Sequence, residues 1–127
     1  MSPPFRKGLP PMFARIVDFV SRPGKTRSLN EIIQSRLFPI LSVQPGFLDE
    51  IVLESDVEPN RVVTLSFWKT REQAERYNQE TYPAVKEVLV ASLLVDPVVR
   101  TFNVMNSTTR NIAGQHVLVR PAMPLGE

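Results

Sequence analysis

The chain has no cysteine, one histidine, one tryptophan and five glycines in 127 residues. The missing cysteine removes disulfides, thiolate nucleophiles, iron–sulfur clusters and zinc–thiolate sites together. Charge of one sign is also lacking. The formal net charge is +2, too small for a phosphate-tracking surface, and no aromatics interleave with the basic residues to stack on bases, so nucleic acid is not an expected partner. Long apolar runs are absent. The longest, Val88 to Val95, is interrupted by Ser92 and is far short of a bilayer span, and Arg6 and Lys7 are not followed by the apolar stretch of a secretion signal. No membrane association is expected, and the cytoplasm is the expected compartment. No Gly-rich phosphate loop, HExxH or GxSxG is present.

What is present is an ordinary globular composition, 43% hydrophobic and 22% charged, with twelve prolines that punctuate the chain. Residues 1–12, with Pro3, Pro4, Gly8, Pro10 and Pro11, read as an extended leader. Phe13 to Val20 reads as a strand ended by Arg22-Pro23-Gly24. Ser28 with Glu31 forms a capping-box pattern ahead of a helix, which Pro39 kinks or ends. Phe47 to Ser55 and Arg61 to Lys69 read as a hairpin around Glu58-Pro59-Asn60. Thr70 with Gln73 is a second capping box, opening a helix that runs to about Leu94 with Pro83 in its middle. Val98 to Met105 completes the order as a fourth strand.

The order β-α-β-β-α-β predicts an α+β, ferredoxin-like fold, a four-stranded antiparallel sheet with two helices on one face. Apolar residues occupy both parities of the strands, as in Val62 and Trp68 against Val63, Leu65 and Phe67. A sheet with one wet face alternates more cleanly, so the second face is expected to be covered by an identical subunit, giving a homodimer. Residues 107–127 form a tail in which 116–120 read as an extra strand or a free end, and His116 reads as an edge residue rather than a ligand.

Pro45-Gly46-Phe47-Leu48, the run Val62 to Thr70 with Ala74 and Tyr77, and Pro97-Val98-Val99 leading to Phe102-Asn103-Val104 resemble the antibiotic biosynthesis monooxygenase-like (ABM) domains of the dimeric α/β-barrel superfamily. The resemblance spans residues 13–106. It implies a small apolar or aromatic ligand held between sheet and helices, without cofactor or metal, with Trp68 in the pocket wall. Tyr77, Asn78 and Tyr82 on the following helix, and Thr64 and Ser66 if their parity faces the helices, complete the expected substrate-binding set. It assigns no catalytic residue.

For each of these residues a purely structural role competes: Trp68 as a core aromatic, the tyrosines as core with a wet hydroxyl, Asn78 as solvated. Arg15, Asp18, Arg100 and Asn103, on strands read as outer in the sheet, are candidates to supply charge, whereas Asp49, Glu50 and Glu54 read as a solvated rim. The family spreads over several activities. A cofactor-independent monooxygenase acting on an aromatic or polyketide-like molecule is the expected function, with a non-catalytic ligand-binding or accessory dimer as the alternative. Haem degradation is disfavoured, because the helix after Trp68 has no His and the first strand offers Ile16, Val17 and Asp18 in place of Asn.

Overall fold

The computed structural model describes residues 12–107, so the leader before Met12 and the tail reading at 116–120, His116 included, lie outside the described residues. Strand β1 (Met12–Val20) leads to α1 (Thr26–Ile32), a π turn over Ile33–Leu37, and α2 (Phe38–Ser42). The hairpin β2 (Phe47–Glu54) and β3 (Arg61–Trp68) follows, then α3 (Arg71–Glu80), α4 (Tyr82–Leu89), one 3₁₀ turn and β4 (Val98–Val104). The four strands are ordered β2-β3-β1-β4, with every pairing antiparallel. This is the ferredoxin-like α+β architecture that the order of elements predicts. It places β1 inside the sheet, a correction to the reading of Arg15 and Asp18 as lying on an outer strand.

Local chemistry explains the boundaries. Thr70 caps α3, its hydroxyl oxygen accepting from the Gln73 backbone N–H at 3.1 Å. The reciprocal half of that capping box does not form. The Gln73 side chain instead lies over Gly46, whose φ of +84° and contact with Gln73 leave no room for a side chain. The Ser28–Glu31 box does not form either. The first helix starts one turn earlier after Lys25, with no side-chain cap, and the Thr26 hydroxyl is held by Ser21 Oγ at 2.9 Å and, more weakly, by Asn60 Oδ1 at 3.4 Å. The expected single helix after β3 is two, parted at Thr81, with Pro83 in the first turn of α4, where its missing N–H costs nothing.

Directly paired residues of an antiparallel sheet project to the same side. Phe13, Val17, Phe19, Val62 and Trp68 join Leu29, Ile33, Ala74, Tyr77, Val85 and Leu89 in one buried core. The parity of Thr64, Ser66 and Trp68 therefore faces the helices. A bulge in β2 at Leu48 sets two residues against one on β3, since Phe47 pairs with Trp68 and Asp49 with Phe67. Beyond the bulge the parity of β2 is reversed, so Phe47, Glu50 and Val52 all fall on the helix side.

The other face carries Ile16, Val63, Leu65, Phe67, Ile51, Leu53, Val98 and Phe102 by the same register, and Leu53, Val98 and Phe102 are about half exposed there. One end of this face is polar. Arg61 donates through Nε to Asp18 Oδ1 at 3.0 Å and also pairs with Glu58, while Arg100 lies 3.8 Å from the same Asp18 carboxylate.

Candidate functional site

Arg15 is the largest charged side chain in the interior, only 4% exposed, and it stands on the helix-facing side of a central strand. Such a charge is tolerated only where surrounding groups replace water. Its guanidinium carbon lies 4.3 Å from the ring centre of Tyr82 and 5.2 Å from that of Tyr77, so two π faces stabilise the cation. Nη2 donates to Asn78 Oδ1 at 2.8 Å. Tyr77 and Asn78 are adjacent on α3 and Tyr82 opens α4, so the break at Thr81 is what brings both rings onto one guanidinium.

Along the pairing direction Arg15 is level with Ser66, and Ser66 with Glu50. With neighbouring strands roughly 5 Å apart, Arg15 and Glu50 stand about 10 Å from one another at the backbone, flanking a short serine. Ser66 Oγ accepts from the Trp68 indole N–H at 2.9 Å and donates to the Arg15 carbonyl at 3.3 Å. No ion pair closes between Arg15 and Glu50: among the described residues, neither appears in a salt bridge within 4 Å. Three buried polar atoms here have no hydrogen-bond partner: Arg15 Nε, Glu50 Oε1 and the Tyr82 hydroxyl.

The protonation equilibria follow from this enclosure. Burial pushes the Glu50 carboxyl up to about 7, with the Arg15 charge opposing and the neighbouring Asp49 adding to the rise. Burial raises Tyr77 to about 12 and also raises Tyr82, against the pull of Arg15 in both cases. Burial lowers Arg15 from its ordinary value, with the tyrosines and Glu50 opposing, and the group stays a cation at any physiological pH. The guanidinium lies over the Tyr82 ring rather than in line with its hydroxyl, which leaves that hydroxyl without a bond of normal geometry.

Of the residues expected from sequence, Ser66, Tyr77, Asn78 and Tyr82 converge on Arg15. Trp68 is enclosed completely, packed edge-on against Phe47 at 5.6 Å and tilted against Tyr77 at 5.2 Å, its N–H committed to Ser66. Thr64 is buried on the same face but level with Val17 and Val52, one step removed from the charged row. Asn103 faces the helix side opposite Phe13, whereas Asp18 and Arg100 fall on the other face, paired with each other. Glu50, read from sequence as a solvated rim residue, is instead half-buried with an interior oxygen. The signal for it was the hairpin register, once the bulge is counted.

Two open grooves lie elsewhere. One of about 310 Å³ runs between α1 and β2, lined by Thr26, Arg27, Asn30, Val52, Glu54 and Val62, at the end of β3 away from Trp68. The other, about 300 Å³, lies on the open face around Leu53, Val57 and Val63. Neither gathers a buried charge with unpartnered polar atoms, and the Arg15–Glu50 row is the stronger candidate because it does.

The fold has many relatives among solved structures. The cofactor-independent oxygenase SnoaB of Streptomyces nogalater, in a mutant form, superposes with a TM-score of 0.65 at 16% identity, covering 76% of this chain and 96% of that one. A protein of unknown function from Nitrosomonas europaea gives 0.66 at 15% identity, with 79% and 95% covered. A protein from Shewanella oneidensis gives 0.62 at 19% identity, with 74% and 91% covered. At these identities the likeness is one of fold. No curated protein matches. The sequence model described as antibiotic biosynthesis monooxygenase (ABM) matches residues 12–87, more than half of the chain, and the chain therefore belongs to the antibiotic biosynthesis monooxygenase family.

Proposed function

We propose that this protein is a homodimeric, cofactor-independent monooxygenase that binds a small aromatic or polyketide-like substrate between its sheet and helices. The observation that carries the reading is the buried cation Arg15, lying against the neighbouring rings of Tyr77 and Tyr82, with its Nε, the Tyr82 hydroxyl and Glu50 Oε1 all unpartnered. Oxygenation without a cofactor needs a substrate that can ionise to an electron-rich anion and a site that stabilises that anion by fixed donors. Arg15 and Tyr82 are such donors. The Tyr82 and Tyr77 rings beside Arg15, with Asn78 and Ser66 as orienting groups, Thr64 one step away and Trp68 packed behind Tyr77, suit a planar ring system. A pocket of a simple carrier would be satisfied by Leu, Val and Phe alone. The apolar open face, with Leu53, Val98 and Phe102 half exposed, supports pairing with a second copy.

The test is oxygen uptake with anthrone and no added cofactor, read with an oxygen electrode and by mass spectrometry of the product. The expected reaction converts the CH2 group to a ketone: substrate plus O2 gives anthraquinone plus water. Saturable anthrone binding with oxygen uptake no faster than in buffer would replace this reading by that of a non-catalytic ligand-binding dimer.

A further inference from the structure

We infer that the groove between α1 and β2 is a second binding site, and that it takes a small zwitterion with an apolar body, a free aliphatic or aromatic amino acid. The groove has a volume of about 310 Å³ and lies at the end of β3 away from Trp68, so the inference stands apart from the reading above. Its two walls come from different elements and differ in charge. Arg27 and Asn30, three positions apart on α1, project to the same side of that helix. Glu54 and Val52, two positions apart on β2, project to the same side of the sheet, and Val62, level with Glu54 on β3, completes that wall. A guanidinium and an amide thus stand across the groove from a carboxylate, with two valines on the strand side.

Both wall charges are available to a ligand. Among the described residues neither Arg27 nor Glu54 enters a salt bridge, and both side chains are exposed, where closing on one another gains little. Flanking charge repeats the same polarity: the loop before α1 carries Arg22 and Lys25, while the hairpin turn carries Asp56 and Glu58, the second offset by Arg61. The two rims are also fixed relative to each other. The Ser21 backbone N–H donates to the Asn60 carbonyl at 2.7 Å, and polar contacts run from Ser21 Oγ through the Thr26 hydroxyl to Asn60 Oδ1 at 2.9 and 3.4 Å. They tie the start of α1 to the β2–β3 turn, and walls already held need less ordering when the groove fills. The ligand carboxylate accepts from the Arg27 guanidinium and from Asn30 Nδ2, its ammonium donates to Glu54, and its side chain covers Val52 and Val62. A plain anion would be repelled by Glu54 and a plain cation by Arg27, while an uncharged apolar molecule would leave both heads unused.

The experiment titrates the full chain with L-leucine and L-phenylalanine by calorimetry and maps the contact by heteronuclear NMR. At least one of the two should saturate a single site, moving the amide resonances of Arg27, Asn30, Val52 and Glu54 and leaving those of Tyr77 and Tyr82 in place. The amide of that amino acid, which lacks the carboxylate, and its N-acetyl form, which lacks the ammonium, should each bind about tenfold more weakly. Glycine, without the apolar body, should bind more weakly too. Arg27→Met should weaken the amino acid by about tenfold and abolish its advantage over the amide, and Glu54→Gln should abolish its advantage over the N-acetyl form. Circular dichroism of each variant checks that it folds. Absence of saturable binding by both amino acids, shifts centred on Tyr77 and Tyr82, equal binding of the blocked forms, or variants that bind as the wild type does overturns the inference. Anthrone oxidation is read separately and requires neither Arg27 nor Glu54, so either reading can fail while the other stands.

Discussion

Replacing Glu50 by Gln tests the interior placement of this carboxyl without any ligand. Burial raises it from an ordinary 4.5 to about 7, so between those pH values the folded protein holds a proton that the unfolded chain has released. Stability then falls as pH rises through this window, because the folded state binds more protons than the unfolded one. At about 1.4 kcal/mol per pH unit, the loss between pH 4.5 and 7 is about 3 kcal/mol, and it remains constant at higher pH. Gln keeps the shape and has no proton to lose. The difference in unfolding free energy, variant minus wild type, should therefore be near its minimum below pH 5 and grow by about 3 kcal/mol by pH 8, roughly 10 °C in Tm for a chain of this length. Urea melts at a series of pH values and one fixed protein concentration measure it, and subtraction cancels the carboxylates common to both proteins. Parallel stability curves would falsify the burial of Glu50 and with it the bulge-reversed register of β2.

Two further outcomes follow from other parts of the fold. Gly46→Ala should destabilise by about 2 kcal/mol or more, from a left-handed φ of +84° and a Cβ placed 2.0 Å from Gln73 Oε1; adding Gln73→Ala should recover part of the steric cost, leaving the backbone part and the 2.8 Å contact with the Cβ of residue 73, measured as a double-mutant cycle in urea. Leu53→Lys combined with Phe102→Lys places two charges on the open sheet face, where both residues are about half exposed, and should shift sedimentation at micromolar concentration from the proposed dimer to monomer while far-UV circular dichroism stays unchanged; a dimer that persists in the variant would show that this face is not the interface, and a monomeric wild type would refute the homodimer itself.

Much of the fold could be read from local signals because those signals act over a few residues. The strand–helix junction at Trp68 and Thr70 depends on one hydroxyl reaching one N–H, and the structure has that bond. The hairpin turn needs a residue tolerant of positive φ, and Asn60 supplies it at 67°. Ser28 failed as a cap because Thr26 has better partners in Ser21 and Asn60, the latter 34 positions away, and no local pattern can register that competition. Ser66, Tyr77, Asn78 and Tyr82 were legible as site candidates from their place beside the Trp. Glu50 was not, since alternation counted from Phe47 puts it outside, and only the unpaired Leu48 returns it to the interior.

The π turn over Ile33–Leu37, just ahead of Pro39, has a geometric consequence for the first helical segment. Its buried residues Leu29, Ile33, Leu37 and Leu41 recur at intervals of four. On a regular α-helix of 3.6 residues per turn, each such interval overshoots a full rotation by about 40°, so the stripe would wind away from the sheet by about 120° from Leu29 to Leu41. A wider turn in the middle of the run absorbs part of that excess rotation and keeps Leu37 and Leu41 aimed at the strands. The proline that forbids a regular ladder there thus allows a four-residue repeat, unsuited to an unbroken helix, to remain in contact with a flat partner along its whole length.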